Sequence, residues 1–569
     1  MALATATTAA ADALTINFTS GLPKDATTED GDGGVLQPNI YKHIDEQQAT
    51  SWIVSRLGDG HGQAALSATR HADKTLAARN LLILPTLTID SDTTYLRWET
   101  KSMHKEIPEK YHVLIRENAD LAWDTLYTCQ KENYAWTCHV LPLSAYKGTD
   151  AQIAFEAATT DGFMLALDNI FIGTPSQDKS MVTVQQTTPR FIGKDDESAI
   201  SLHITNYGPA LQADKIAIVK DGEYAAIAHL PKIEYGQSAD ITFDIDQIPL
   251  HEKYEYTVAA IAETGDITLY DTGWTYRSHY RRTTFVDRGS GTWCNNCPPM
   301  EITTSRLQTL YADQLIISES HLGNDVLANG VYLNDYLNDF MRAVPCIVPN
   351  HRKDKIKYSV KDTEDLSDLF IEPAIARIDA TYTLDDGKIS INAECEFAED
   401  TDNSTGQYAA GYMLMADYHD PSVLAYVQSN SASSYTQGQY YYMPSYILPE
   451  MMWYVNVPTD CATATKGKPD SMPRTIEAGT PFATSHTMDA PTSQSIISWK
   501  VAAYIIDTTD GHIVNATIAT ENTTGAITAV QADTTPAADL WYNLQGIRLH
   551  SRPSTPGIYI NNGKKTLIH

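Results

Sequence analysis

The sequence predicts a mostly β, multidomain fold, and three observations support this prediction. The chain has 569 residues, of which 43% are hydrophobic, enough at about 100–200 residues per domain for three to five domains with their own cores. Short alternating or β-branched runs recur between Gly, Asn and Asp turns, as at Tyr111–Ile115 and Ile389–Ala393. Helical periodicity is convincing only from Pro298 to Asp313, with a second candidate from Tyr332 to Met341.

The domain borders are placed where these strand runs are interrupted. The first block ends at Gly173-Thr-Pro175, and the second has evenly spaced strands around the turn Asn206-Tyr-Gly-Pro209. The third block switches to a strand–helix–strand order. The expected order is a leader or its remnant at 1–13, a jelly-roll sandwich at 14–175, an immunoglobulin-like sandwich at 176–278, an α/β domain at 279–372, a β-sandwich at 373–531, and a linker with a short β module at 532–569.

Charge and composition exclude several classes of protein. The chain has 41 basic and 71 acidic side chains and a net charge of −30, which argues against nucleic-acid binding because phosphates need a basic surface. No run of eighteen apolar residues is present, so we expect no transmembrane helix. The first dozen residues lack the basic start and apolar middle of a secretory signal. Seven cysteines are too few for a disulfide scaffold.

The pair Cys294 and Cys297 is the sharpest chemical signal in the chain. Its C-x-x-C spacing lies between a predicted strand and the helix that Pro298 begins. The partial positive charge of a helix N-terminus favours a thiolate at Cys294, and Cys297 could then resolve a mixed disulfide. Two alternatives are a zinc half-site, although the chain has no second C-x-x-C, and a purely structural disulfide.

This region resembles a thioredoxin fold. The strand, Trp293-Cys-Asn-Asn-Cys-Pro298, the helix, a further strand and Val344-Pro345 follow in the thioredoxin order, and the resemblance implies that Pro345 is cis and faces the cysteines. The segments 289–298 and 345–352 are also similar to an exported Bacteroidetes group, the family related to "outer membrane protein twenty-eight". Cys346 departs from the pattern, because thioredoxins usually have threonine there. The resemblance implies roles for Trp293, Cys294, Cys297 and Pro345 in thiol chemistry.

The N-terminal block is similar to the choice-of-anchor J, or cleaved-adhesin, jelly rolls of Bacteroidetes surface proteins. The similarity rests on the order of motifs from Ile16-Asn-Phe-Thr19 to Asp161–Ile172. Such domains often bind calcium, and some bind host proteins or glycans. The resemblance therefore makes four carboxylates candidate calcium ligands: Asp168, Glu29, Asp30 and Asp32. The alternative is that these residues belong to turns and a solvated acidic loop.

Two further features admit two interpretations each. If residues 130–137 form a hairpin end, Cys129 and Cys138 face each other and form a disulfide, which requires an oxidising compartment. The roles of Cys395 and Cys461 stay open. The aromatic residues between Tyr435 and Tyr454 form either an exposed binding surface or, as is commoner in a β domain, part of a core.

The tail resembles the C-terminal sorting signal of the type IX secretion system. The pattern N-L-x-G, then P-G-I-Y-I and a G-K-K turn, predicts a small module of hairpins. The residues that carry it are Asn543, Leu544, Gly546, Pro556, Gly557, Gly563 and Lys564. The resemblance implies the type IX secretion machinery as a partner, and an exported protein at the cell surface or outside the cell.

Two functions follow. In the first, an exported surface protein exchanges thiols and disulfides through Cys294 and Cys297 with a redox partner protein. In the second, a non-catalytic adhesin binds a host protein or glycan, and its thioredoxin-like domain is structural. Neither function requires a cofactor, and calcium is the candidate metal ion that the chain would bind. No other enzyme motif was found: G-x-S-x-G, a phosphate-binding loop and H-E-x-x-H are all missing from the sequence.

Overall fold

The structure is a computed structural model. It describes residues 13–44, 51–57, 62–178, 182–208, 213–311, 314–328, 341, 343–358, 370–431, 438–462 and 466–522, with the backbone alone at 271, 309–310, 541–542, 548–549, 557–561 and 564–568. The chain divides into two compact units, Met1–Thr520 and Glu521–His569. The predicted leader at 1–13 lies outside the described residues except for Ala13, and the candidate helix Tyr332–Met341 lies outside them except for Met341.

The N-terminal block is a sandwich of two six-stranded antiparallel sheets. One sheet has the order β10-β7-β12-β4-β3 with β1 on β12, and the other has the order β2-β5-β11-β8-β9 with β6 on β11. Their inner faces enclose an apolar core that includes Trp98, Phe155 and Leu167. The strands are β1 (Leu14–Ile16), β2 (Thr27–Asp30), β3 (Trp52–Arg56), β4 (Gln63–Ala68), β5 (Asn80–Ile83), β6 (Leu87–Ile89), β7 (Tyr95–Ser102), β8 (Tyr111–Arg116), β9 (Asp124–Cys129), β10 (Thr137–Pro142), β11 (Thr149–Ala157) and β12 (Met164–Gly173).

The second block is also a sandwich, with sheets β13-β15-β18 and β14-β20-β19-β16-β17. Its strand β15 shows why the sequence folds this way: Ile200, Leu202 and Ile204 are buried, and the residues between them are half-buried. The strands are β13 (Val182–Gln186), β14 (Phe191–Ile192), β15 (Ala199–Asn206), β16 (Ala213–Lys220), β17 (Glu223–His229), β18 (Ser238–Asp244), β19 (Lys253–Ala262) and β20 (Ile267–Arg277).

The third block is built around one helix and a three-stranded sheet of order β22-β21-β23. Strand β21 (Thr284–Ser290) leads through a turn to α1 (Pro298–Tyr311), which returns the chain to β22 (Leu315–His321), parallel to β21. Strand β23 (Cys346–Pro349) pairs antiparallel with β21. Two prolines occupy the first positions of α1, where a missing N–H leaves no hydrogen bond unmade.

The C-terminal block packs sheet β32-β25-β24-β35 against sheet β30-β27-β33-β34. Between β27 and β30 the chain leaves the sandwich in a long excursion, residues 419–453. The strands are β24 (Ala376–Asp385), β25 (Lys388–Phe397), β26 (Thr401–Asp402), β27 (Tyr408–Tyr418), β28 (Gln428–Ser429), β29 (Tyr446–Ile447), β30 (Tyr454–Cys461), β31 (Thr475–Ile476), β32 (Phe482–Asp489), β33 (Ile496–Asp507), β34 (His512–Ile518) and β35 (Thr520–Glu521).

Short elements complete the described secondary structure. The tail forms a separate sheet of order β37-β36-β38-β39, which spans Trp541–Tyr542 (β36), Arg548–Leu549 (β37), Gly557–Asn561 (β38) and Lys564–Ile568 (β39). The 3₁₀ helices are Ser144–Tyr146, Lys353–Lys355, Leu424–Tyr426, Gly438–Tyr441 and Pro449–Met451. None of the helices in the described ranges has the length and apolar character needed to cross a membrane.

Apolar cores run across the predicted domain borders. One joins the jelly roll to the excursion and includes Met103, Phe163, Tyr440 and Met451. Another joins the sheet of the third block to the C-terminal sandwich and includes Phe285, Cys346, Met413 and Tyr504. The sheet of the third block therefore packs one face against the C-terminal sandwich.

The predicted fold class is confirmed: the protein is mostly β, with several sheets and sandwiches and a single α-helix among the described residues.

Candidate functional site

Cys294 and Cys297 form a disulfide in the turn between β21 and α1. Pro298 begins α1 directly after Cys297, so both sulfurs lie at the N-terminal end of the helix. The N–H of Cys294 donates to the carbonyl of Gly291 at 3.0 Å, which closes the turn. Both cysteines are only 5% exposed, whereas the neighbouring Trp293 is 55% exposed. We call residues 291–297 the disulfide turn.

A cis peptide bond precedes strand β23. The Val344–Pro345 peptide bond is cis, and Cys346 follows as the partner of Gly289 across β21 and β23. A Cβ at Gly289 would lie 2.6 Å from the sulfur of Cys346, so only glycine fits there. Burial raises the pKa of Cys346 to about 12, which keeps this thiol protonated.

A buried cluster of charged side chains lies at the ends of β21 and β22. Arg288 pairs with Glu319 at 2.5 Å, and His321 lies between Glu319 at 3.3 Å and Asp325 at 3.0 Å. Burial alone would lower the pKa of His321, but the two carboxylates raise it to about 9, so the imidazolium is charged at neutral pH. Burial would likewise raise the pKa of Glu319, but Arg288 and His321 lower it to about 2.

Asp325 connects this cluster to the disulfide turn. One carboxylate oxygen accepts hydrogen bonds from the N–H of Thr292 at 2.6 Å and from its hydroxyl at 2.8 Å. The other accepts from the N–H of Leu327 at 2.9 Å and from His321. A chain of hydrogen bonds thus connects His321, through Asp325, to Thr292 in the disulfide turn.

Residues 428–431 of the excursion lie across the disulfide turn, and we call them the covering segment. The side-chain amide of Gln428 donates to the carbonyls of Gly291 at 3.2 Å and Cys294 at 3.0 Å. The N–H of Ser429 donates to the carbonyl of Thr292 at 2.7 Å. The disulfide turn is therefore hydrogen-bonded to a segment from another block of the chain.

The predicted disulfide between Cys129 and Cys138 is wrong. Cys129 on β9 pairs with Tyr111 in one sheet of the jelly roll, and Cys138 on β10 pairs with Glu99 in the other sheet. Residues 130–136 thus cross between the layers instead of closing a hairpin. Both residues are thiols outside any disulfide, as are Cys346, Cys395 and Cys461, all within the described part of the chain. Burial raises the pKa of Cys129 and Cys138 to about 11.

The predicted calcium ligands are not brought together. Glu29 and Asp30 end β2 in one sheet of the jelly roll, and Asp168 lies on β12 in the other. The carboxylate of Asp32 accepts hydrogen bonds from the N–H of Gly34 at 2.7 Å and the N–H of Arg79 at 2.6 Å, and it lies 3.3 Å from the His71 ring. No three His, Cys, Asp or Glu side chains in the described ranges are grouped closely enough to hold a metal ion.

The aromatic residues of the excursion belong mostly to a core. Tyr440, Tyr442 and Tyr454 are at most 2% exposed and pack with residues of the jelly roll, while Tyr446 is 67% exposed. Of the predicted sorting residues, Gly557 and Lys564 begin the strands β38 and β39. The others lie outside the described residues: Asn543, Leu544, Gly546, Pro556 and Gly563.

Two surface cavities occur in the C-terminal sandwich. One, of about 500 Å³, is a shallow groove on the outer face of β24 and β25 lined by Thr381, Asn392 and Glu394 among others. The second, of about 330 Å³, lies between the loops 403–408 and 466–474. Hydroxyl, amide and carboxylate groups in such a groove can hydrogen-bond a polar ligand.

The sequence interpretation missed both the covering segment and the buried cluster. The strand Leu315–His321 carries a signal for the second, since Ser318, Glu319, Ser320 and His321 are polar in a fully buried strand. No such signal marks the covering segment, because Gln428 lies 134 residues from Cys294.

A second buried cluster was also missed. His351 pairs with Asp287 at 3.0 Å, and Ser318 donates to the same carboxylate. The Asp287 and His351 side chains are fully buried, and the hydrogen bond from Ser318 to Asp287 links β22 to β21.

The comparisons with known proteins find similarity among solved structures alone. No protein-family model and no characterised protein sequence matches this chain. The K3 cleaved adhesin domain of Lys-gingipain from Porphyromonas gingivalis is 20% identical, with 29% of this chain and 98% of that domain covered and a TM-score of 0.23. The xylan-binding CBM22-1 domain from Paenibacillus barcinonensis is 14% identical, with 29% and 94% covered and a TM-score of 0.20. A family 11 carbohydrate-binding module from Clostridium thermocellum, in complex with a mixed-linked tetrasaccharide, is 12% identical, with 29% and 98% covered and a TM-score of 0.20.

Proposed function

We propose that this chain is an exported, surface-associated binding protein of the adhesin type, in which the thioredoxin-like block is a structural unit. One observation supports the structural role: the Cys294–Cys297 disulfide is buried, and the covering segment is hydrogen-bonded to the turn that contains it. A dithiol oxidoreductase must present a sulfur to a partner protein. Both cysteines here are 5% exposed, and the neighbouring thiol of Cys346 is fully buried.

Insulin reduction in the presence of a dithiol tests this role. We expect the wild-type protein and Cys294→Ser to give the same rate as buffer with the dithiol alone. Cys395→Ser is a matched control, because Cys395 is buried in the C-terminal sandwich and outside any disulfide. Turnover by the wild type that is lost only in Cys294→Ser would establish thiol–disulfide exchange in place of the structural role.

The proposed ligand is a glycan or a host protein. This class of ligand is suggested by the structural neighbours, which are cleaved adhesin and carbohydrate-binding domains. For a glycan, the groove on β24 and β25 offers exposed Asn392 and half-buried Thr381, which are cross-strand partners on one face. Amide and hydroxyl groups so placed form hydrogen bonds with sugar hydroxyls.

Binding of the full chain to panels of immobilised glycans and extracellular-matrix proteins tests the ligand. We expect retention by at least one member, with retention of a glycan reduced about tenfold or more in Asn392→Ala with Thr381→Ala. Asn118→Ala is the control, since Asn118 lies in a loop of the N-terminal sandwich. No retention on either panel would contradict the binding function.

Export through the type IX system is the third part of the proposal and rests on the tail. Its described strands form a small sheet within the unit Glu521–His569. Deletion of residues 541–569 should leave the protein inside cells of a host that has this system, whereas the full chain reaches the surface. Equal surface levels of both would contradict a sorting role.

A further inference from the structure

The covering segment docks on the disulfide turn in the manner of an extended peptide. The N–H groups of Ser429 and Ser431, two residues apart, donate to the carbonyls of Thr292 and Asn295, each at 2.7 Å. Alternate N–H groups that point the same way are typical of a strand pairing with a neighbour. The Gln428 side chain adds two hydrogen bonds to the turn, so four hydrogen bonds hold the segment there.

The segment is anchored by its own block on its other side. Ser429 pairs with Tyr446 in the short β28–β29 ladder. The buried side chain of Asn430 donates to the carbonyls of Tyr440 at 2.8 Å and Pro444 at 3.2 Å. These contacts to its own block do not involve the disulfide turn, so they can persist when the hydrogen bonds to the turn break.

The two cysteines are buried next to this contact, whereas their neighbours in the turn are exposed. Cys294 and Cys297 are 5% exposed, while Trp293 is 55% exposed and Asn295 and Asn296 are exposed. The covering segment already occupies the carbonyls of Thr292 and Asn295. A peptide or protein that approached the turn from its exposed side could therefore not pair with these two carbonyls.

We propose that residues 428–431 are a protective cover, docked in cis on the disulfide turn, and that their release is the step that admits a dithiol to the Cys294–Cys297 bond. After release, a thiolate of the dithiol attacks one sulfur, the bond between the two cysteines breaks, and the departing thiolate takes a proton from water. The second thiolate of the reagent then breaks the mixed disulfide. The net result is two thiols on the protein and an oxidised reagent. This inference goes beyond the proposed binding function and does not depend on it.

The rate of reduction of the Cys294–Cys297 bond by dithiothreitol in the folded, full-length protein tests the proposal. New thiols are blocked with a maleimide at timed intervals and quantified by mass spectrometry of the peptide that contains both cysteines. Gln428→Ala removes two of the four hydrogen bonds, and we expect reduction about tenfold faster. Gln407→Ala is the matched control: it removes a glutamine hydrogen bond to Asp507 in the same sandwich, away from the turn, and should leave the rate unchanged.

Equal rates for wild type and Gln428→Ala, or equal acceleration by Gln407→Ala, would overturn the proposal. A second measurement uses wild type alone and holds even if the variant folds poorly. If local release admits the reagent, the rate changes little with low urea and stays well below that of the unfolded chain. A steep urea dependence, or a native rate equal to the unfolded rate, would also overturn it.

Discussion

Raising the pH should weaken the third block through His321. The side chain of His321 is fully buried between Glu319 and Asp325, and its pKa is about 9 in the folded state against 6.5 for an ordinary histidine. Since the folded pKa is the higher one, the stabilisation is complete below pH 6.5 and is lost as the pH rises through 9. At 1.36 kcal/mol for each pH unit between these two values, it amounts to about 3 kcal/mol.

The variant His321→Gln removes this contribution, because groups that do not contact His321 titrate equally in both proteins. At pH 6 the variant should unfold at a lower temperature than wild type, and the gap should narrow by about 3 kcal/mol by pH 10. Scanning calorimetry of both proteins at each pH measures this narrowing.

His203→Gln is the matched control for this experiment. His203 pairs with Asp240 but is 40% exposed, where solvent screens the pair. The difference in melting temperature between His203→Gln and wild type should stay constant from pH 6 to pH 10. A gap between wild type and His321→Gln that is constant from pH 6 to pH 10 would refute the assignment of a buried imidazolium at His321.

Three further outcomes are expected. Protein unfolded without reductant should take up five equivalents of a thiol reagent, and seven after reduction; three before reduction would reveal a second disulfide. Gly411→Ala should lower the stability of the C-terminal sandwich by about 1–3 kcal/mol, since a Cβ there would overlap the ring of Tyr504, and an unchanged melting temperature would contradict this. Arg97→Met should lower the free energy of unfolding by about 3–5 kcal/mol, because it leaves Asp178 buried without its bidentate partner. The double variant Arg97→Met with Asp178→Leu should recover most of this stability. An equal loss of stability in the single and the double variant, measured by calorimetry, would contradict this.

Local signals in the sequence were enough to predict helix α1. Proline at the first helical position and a polar turn before it place α1 from Pro298, and the structure ends it at Tyr311. The alternation of Ile200, Leu202 and Ile204 likewise predicts a strand with one buried face. Such features depend on neighbouring residues, so a single sequence contains them.

Pairing between distant segments could not be predicted in this way. Cys129 and Cys138 are close in sequence, but the chain changes sheet between them, and this change follows from which strands pair, not from the residues of the loop. The covering segment is set by backbone hydrogen bonds, which almost any residue can make, so Ser429 and Ser431 carry no mark of their role.

The core shared by the jelly roll and the excursion has a consequence for how the chain is made and exported. The N–H of Lys42 donates to the carbonyl of Tyr442, and the hydroxyl of Tyr442 donates to Ser55. During synthesis the last strand of the N-terminal sandwich, β12, therefore emerges some 270 residues before Tyr442, a delay of about 13–54 s at 5–20 residues per second. Through this interval the apolar face that packs on the excursion is open to chaperones or to aggregation, and the first block reaches its final form only after most of the chain has followed it.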